Sequence, residues 1–248
     1  MATSTAHQQI IEKRDNLSAE HNNCDLMALL SHELKSPLSV IKLYVQMAKK
    51  LNIRNDHAES LLEKIDHQVI EMTAVLDNML DMSLVFSGKI VLRKTCFKIN
   101  DLLTEILDDY SQYFRSHHFT MVSNYECSVY ADRGKIKQVI VNLISNAVKY
   151  SSQQSEVNVS CKYANEVITL AVVDQGIGIS QENQQKLFGR YFRGDCDQVR
   201  LKKGYGIGLY IAKEIVCHHG GQIWVKSKEG SGSTFFISLP VPLPFTLT

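Results

Sequence analysis

No run of about 18 apolar residues occurs in this chain, so no helical segment is expected to span a bilayer. Neither sign of charge dominates. The 27 lysines and arginines stand against 26 aspartates and glutamates, a formal +1, which gives no electrostatic ground for a nucleic-acid or membrane-surface partner. The opening residues, with "HQQIIEKRDN", lack the pattern of a secretion signal. Six cysteines (Cys24, Cys96, Cys127, Cys161, Cys196 and Cys217) are scattered without C-x-x-C spacing, which suits reduced thiols in the cytoplasm better than a disulfide scaffold or a zinc site. Low-complexity tracts and solenoid repeats are also missing. What remains is a chain of 248 residues, 44% hydrophobic, with room for one large or two small domains and enough apolar side chains to build their cores.

The first strong pattern is "LLSHELKSPLSVIKLYV", residues 29–45. Met27, Leu34, Ile41 and Ala48 recur every seven residues, flanked by Leu30, Leu38, Tyr44, Val45 and Leu51, so one helix side is apolar. His32 falls on the other side with Ser36 and Ser39, and its imidazole therefore faces solvent or a partner. Pro37 removes one backbone donor and crowds the carbonyl of Glu33, which predicts a bend just past the histidine. Three readings of His32 stand open at this point: a solvated surface residue, a zinc ligand, or a nucleophile. The zinc-protease pattern H-E-x-x-H fails because its second histidine would be Ser36. A nucleophile needs a donor elsewhere in the chain.

A second helix is predicted over roughly 57–86. Leu62, Ile65, Val69, Met72, Leu76, Met79 and Phe86 follow steps of three and four, interrupted at Ser83. The short polar "LNIRNDHA" between the helices predicts an antiparallel hairpin. Two such stripes leave apolar surface over, which two hairpins hide by pairing into a dimeric four-helix bundle; packing within a monomer is the alternative. Residues 1–24 continue the helical pattern weakly and read as a connector, residues 25–88 as the hairpin, 89–242 as a second domain and 243–248 as a tail. In that second domain short β-rich runs ("KIVLRKTCFKI", "FTMVSNY", "EVNVSCKY", "EVITLAVVD", "GQIWVKS", "STFFISLP") alternate with helical runs near 100–115, 132–150 and 205–218. The expected architecture is an α+β sandwich, helices over one face of a mixed sheet.

Three elements of that domain suit a nucleotide. Asn142, Asn146 and Lys149 are spaced by four and three, stacking two carboxamides and an ammonium on one helix face, while Ile136, Val139, Ile140 and Leu143 take the other. Carboxamide oxygens suit magnesium and an ammonium suits phosphate, although asparagines also decorate solvated faces. In "AVVDQGIGIS" an apolar strand ends in Asp174, able to accept from an exocyclic amine or to start a turn, and Gly176 and Gly178 allow close backbone approach to a flat ligand. In "KGYGIGLYIAKEIV" the glycines Gly204, Gly206 and Gly208 lead into a helix whose bare amides can hold phosphate oxygens. The spacing is not that of a dinucleotide fold, and no Walker loop occurs. The polar stretch from Asp195 to Lys203 has the composition of a lid.

Taken in order, "SHELKSPL", "NLISNAVKY", "DQGIGI", "LFGRYFR" and "GYGIGL" resemble the H, N, G1, F and G2 boxes of sensor histidine kinases, over about residues 23–240. The resemblance implies a dimerisation and phosphoacceptor hairpin followed by a Bergerat-type ATP-binding domain of the gyrase, Hsp90, histidine kinase and MutL superfamily. Carried over by position, it implies that His32 is the phosphoacceptor and Glu33 its acid/base neighbour. Asn146 would be the magnesium ligand with Asn142 beside it, Lys149 would meet phosphate, Tyr150 would lie against adenine and Asp174 would bind its amino group. Gly176 and Gly178 would line that pocket. Arg193 would approach the phosphates, Phe188 and Phe192 would anchor the lid, and Gly204, Gly206 and Gly208, with Leu209 behind them, would form its hinge and triphosphate cradle. Where the family often has threonine or asparagine four residues after the histidine, this chain has Ser36, so phosphatase activity carries over less firmly.

The expected chemistry is ATP-dependent autophosphorylation of His32, with magnesium, followed by transfer to an aspartate of a response-regulator receiver domain docking over Lys42, Gln46 and their neighbours. Bending at Pro37 is expected to gate the transfer. The rivals are a catalytically silent dimeric scaffold and another ATPase or serine kinase of the same superfamily. A sensor region outside this sequence is expected to supply the input.

Overall fold

In the computed structural model the described residues are 34, 37–48, 55–88, 90–114, 116–123, 126, 128–195, 199, 202 and 206–241. His32, Glu33, Ser36 and Gly204 lie outside them, as do the segment before residue 34 and the tail. The chain divides into two compact units, Met1–Lys89 and Ile90–Thr248.

The first unit contains α1 (37–48) and α2 (Asn55–Phe86). At 32 residues α2 is roughly 48 Å long, and it begins two residues before the predicted start. Lys64 Nζ sits 5.8 Å from the centre of the Tyr44 ring, a cation–π contact between the two helices. Pro37, at the start of the described helical run, is buried. The predicted apolar spacing is present, and part of it has no cover among the described residues: Leu62, Val69 and Leu76, seven residues apart, are 59%, 47% and 38% exposed. Leu38 and Val45 on α1 are exposed in the same way. A soluble helix seldom leaves a row of this kind to water unless another surface covers it.

The second unit is a mixed sheet with helices on one face. Its elements are β1 (Thr95–Lys98), α3 (Ile99–Tyr113), β2 (His118–Ser123), β3 (Ser128–Ala131), α4 (Arg133–Tyr150), β4 (Glu156–Ala164), β5 (Val167–Asp174), α5 (Gln181–Lys186), α6 (Gly208–His218), β6 (Gln222–Ser227) and β7 (Ser233–Pro240). Five strands run in the order β2-β4-β5-β7-β6, with β2 parallel to β4 and every other pair antiparallel. Strands β1 and β3 form a separate antiparallel pair.

Alternation along the strands decides the two faces of the sheet. Val159, Val172, Phe235 and Val225 line up across β4, β5, β7 and β6, and Cys161, Leu170, Ile237 and Ile223 form the next row. On β4, β5 and β7 these side chains are buried. Helices α3, α4 and α6 cover that face with Leu102, Leu103 and Ile106, with Ile136, Val139, Ile140 and Leu143, and with Ile211, Ile215 and Val216. On the opposite face Trp224 stacks on Phe236 at 5.1 Å and 7° between planes, with Lys226 Nζ 5.7 Å from the Phe236 ring.

Helix α4 is fixed at its start by Asp132, whose Oδ1 accepts from Lys135 N at 3.1 Å. Glu105 of α3 binds both Lys137 and Arg133 of α4, and these two cations hold its carboxyl down at about 2. Two elements were not anticipated. Strand β3 is only four residues, and the polar α5 buries none of its side chains. The run "KIVLRKTCFKI" supplies a strand only over Thr95–Lys98.

Candidate functional site

The site is assembled from the ends of α4 and β5, the loop after β5 and the start of α6. On α4, Asn142, Asn146 and Lys149 lie half-buried on one side, while Ile136, Val139, Ile140 and Leu143 are buried on the other. At the helix end the Tyr150 carbonyl accepts from Ile177 N at 3.3 Å, which ties the loop after β5 to the end of α4. Lys149 Nζ stands 5.1 Å from the Tyr150 ring centre.

Asp174 ends β5 and is 7% exposed. Its Oδ1 accepts from Gly176 N at 2.8 Å and from Ser233 N at 3.1 Å. Both bonds fall on Oδ1. Burial lifts this carboxyl above its ordinary range, and the Gly176 and Ser233 amides pull the other way. A methyl group on Gly176 would stand 2.7 Å from the Tyr150 carbonyl oxygen and 2.8 Å from Asp174 Oδ1. Backbone alone fits in that cradle.

The loop from Gly176 to Ser180 is pinned by residues that sequence patterns did not single out. Ser227 Oγ accepts from Ile179 N at 2.8 Å and donates to the Gly232 carbonyl at 2.7 Å. Gln184 Nε2 donates to the Ile179 and Ser227 carbonyls at 2.8 and 2.9 Å. The one local signal was the glycine-rich turn "EGSGS" ahead of Ser233. A cavity of about 350 Å³ opens beside Asp174, lined by Val173, Lys226, Ser227, Lys228, Ser231, Gly232, Ser233 and Thr234; neither Asn142 nor Asn146 lines it.

The glycine loop meets both neighbouring motifs. Gly206 has φ +67°, and a methyl group there would strike the backbone of Tyr191 and Phe192, so only glycine fits where the loop leans on "LFGRYFR". Gly208, the first residue of α6, lies directly against the Asn142 carboxamide; a methyl group would stand 2.5 Å from its Oδ1. Leu209 and Phe188 are half-buried, and Gly178 takes φ +69°. Arg190 lies over the Tyr210 ring at 5.1 Å. Arg193 has its Nη2 on the carbonyls of Val199 and Lys202, each at 2.6 Å, so in this structure its guanidinium engages the Asp195–Lys203 stretch. Among the described residues, Asn142, Asn146, Lys149, Tyr150, Asp174, Gly176 and Gly208 are thus linked by direct contacts or by sharing one face of α4, and Gly206 joins the loop to Tyr191 and Phe192. Among the described residues no group of three histidine, cysteine or acidic side chains is placed to hold a metal.

A helix-covered mixed sheet whose polar residues converge from α4, from the end of β5 and from a glycine loop opening α6 defines an ATPase-type domain. Residues 131–243 match the family described as histidine kinase-, DNA gyrase B-, and HSP90-like ATPase. Residues 22–85 match the His Kinase A (phospho-acceptor) domain. The chain belongs to the sensor histidine kinase family. It is similar to the adaptive-response sensory kinase SasA of Rippkaea orientalis, 33% identical over 226 residues that cover 87% of this chain and 57% of that protein, so it spans less than two thirds of that relative. The solved catalytic domain of histidine kinase ThkA is 28% identical, with a TM-score of 0.54, over 60% of this chain and 99% of that domain. A second structure, histidine kinase ThkA in complex with response regulator protein TrrA, shares the fold at 23% identity and a TM-score of 0.60, over 93% of this chain and 66% of that one. Among the described residues no helix is long and apolar enough to cross a membrane.

Proposed function

We propose that the chain autophosphorylates His32 from ATP and passes the phosphoryl group to an aspartate of a response regulator. The observation that carries this reading is the convergence of the asparagine face of α4, Asp174 and the glycine-opened α6, with Gly208 against Asn142 and Gly176 against both Tyr150 and Asp174. Asp174 Oδ2 accepts from the adenine amino group, and the glycine at 176 lets the base lie close to backbone. Tyr150 flanks the base and Lys149 meets phosphate. Asn146, with Asn142 beside it, would hold magnesium through carboxamide oxygens, and the ion would neutralise phosphate charge. For Arg193 to approach the phosphates, its guanidinium leaves the Val199 and Lys202 carbonyls.

In the transfer itself, the free-base imidazole of His32 forms a nitrogen–phosphorus bond to the γ-phosphorus as the bond to the β–γ bridging oxygen breaks and ADP departs. Glu33 takes the proton from the other ring nitrogen. The phosphoryl group then moves to the receiver aspartate. The regulator docks on the outer face of α1, where Lys42 and Gln46 are exposed; the fold neighbour ThkA binds such a protein. Two chains pair through the exposed Leu62, Val69 and Leu76 row. The protein works in the cytoplasm, where ATP and reduced thiols are found.

The test is incubation of the wild type and His32→Gln with labelled ATP and magnesium, followed by acid treatment. An acid-labile label that His32→Gln abolishes is expected. No label, a label that survives acid, or one that survives the substitution overturns the reading.

A further inference from the structure

Helices α4 and α6 pack along one another and carry opposite walls of the nucleotide site, so their mutual register matters to every group described above. One end of this pair is set by Gly208 against Asn142. The other is set by His219. This ring is 5% exposed; its Nδ1 donates to the Ile215 carbonyl at 2.8 Å, within the last turn of α6, and its Nε2 accepts from Asp132 N at 3.0 Å, immediately before α4. The two pinned spans match: ten residues from Asp132 to Asn142 cover about 15 Å of helix, and eleven from Gly208 to His219 cover about 16.5 Å. The junction extends further, because Asp132 also caps α4 at Lys135 N and accepts from Arg93 N at 2.8 Å.

We propose that His219 is a positioning residue for the nucleotide site: as a neutral acceptor it fixes the α4–α6 register at the end opposite Gly208, and its protonation releases that end. An imidazolium carries a proton on both nitrogens and cannot accept from Asp132 N, leaving two donors face to face in a buried place. The charged groups around the ring are Asp132, which favours the proton, and Lys94 and His218, which oppose it. Burial is the largest influence and also opposes it, so the neutral form prevails at neutral pH. His219 touches no assigned ligand group; its effect passes through the two helices.

This inference rests on the nucleotide-binding reading of the site, and the test separates the two. The affinity of the full chain for trinitrophenyl-ATP, the KM for ATP and kcat are compared for wild type, His219→Asn and His219→Gln between pH 5.5 and 8, with thermal melting of each. Glutamine reaches about as far as Nε2 and offers an oxygen to Asp132 N; asparagine does not. His219→Asn is expected to weaken nucleotide binding about tenfold, the scale of one buried donor left unpaired, with KM rising more than kcat falls. His219→Gln recovers most of that loss and removes the decline in affinity that the wild type shows as pH falls through the lowered folded-state value of His219. Equal affinities for the Asn and Gln variants, or a wild-type affinity that stays flat through the acid range, overturn the positioning role. A wild type that binds no nucleotide overturns the underlying reading instead. Should His219→Asn melt below the assay temperature, the wild-type and Gln pH profiles decide alone.

Discussion

The contact between Gly208 and Asn142 gives a prediction that can be worked through in numbers. In Gly208→Ala the new methyl carbon stands 2.5 Å from Asn142 Oδ1, 2.7 Å from Nδ2 and 3.0 Å from Cγ. Ordinary contact starts near about 3.4 Å, so the carboxamide must retreat by roughly 0.9 Å. That swing takes it off its rotamer at about 0.5–1.5 kcal/mol, and overpacking of this kind costs about 1–3 kcal/mol in all. Alanine regains at most about 1 kcal/mol over glycine inside a helix, and less here because Gly208 is the first residue of α6. The expected net loss is about 1–2 kcal/mol. With Asn142→Ala already present the obstacle is gone, and the same change becomes neutral or stabilising by up to about 1 kcal/mol. The two substitutions should therefore couple by about 1–3 kcal/mol. Urea unfolding of the four proteins, followed through Trp224, measures this cleanly because the chain has a single tryptophan and it lies in the same unit, stacked on Phe236. Additivity within about 0.5 kcal/mol refutes the contact and, with it, the joining of the glycine loop to the asparagine face.

Three further outcomes follow from the same structure. Asp174→Asn keeps an oxygen for the Gly176 and Ser233 amides but sets an NH2 against the adenine amine; ATP affinity measured calorimetrically should fall about 10- to 100-fold with little change in melting temperature, and an unchanged affinity removes Asp174 from base recognition. His219 and His117 are both buried and both held below the ordinary histidine range by that burial, so the unfolded chain binds more protons just under about pH 6.5. The stability they contribute is complete above that pH and is lost as pH falls through their folded-state values; Asp174, shifted upward, works in the opposite sense and nearer the carboxylate range. Urea midpoints should drop from pH 7.5 to 5.5, less steeply in His219→Gln, and a flat or rising profile contradicts the assignment. Placing aspartate at Val69, in the middle of the exposed Leu62–Leu76 row, should convert a dimer to monomers by light scattering, and an unaltered mass sinks the pairing surface.

What was legible in the residues and what was not divides along the range of the interactions involved. Spacing of three and four showed which side chains share a face of α2 and of α4, and β-rich composition showed which runs hold strands, because both signals are set within a few residues. Short elements escaped for the same reason: four residues of β3 and six polar residues of α5 contain too little pattern to separate from a loop. The partners that complete the site are long-range. Ser233 N reaches Asp174 across 59 residues and Asp132 N reaches His219 across 87, distances over which no local periodicity operates. Ser233 and Asp174 meet because the strand order places β7 between β5 and β6, so that Ser233 is opposite Asp174 on one side and Ser227 on the other. That insertion is what turns an aspartate at a strand end, which alone could equally have started a turn, into a buried acceptor with one oxygen committed to backbone. The chemistry of the residues was visible one motif at a time; their convergence is a property of the sheet.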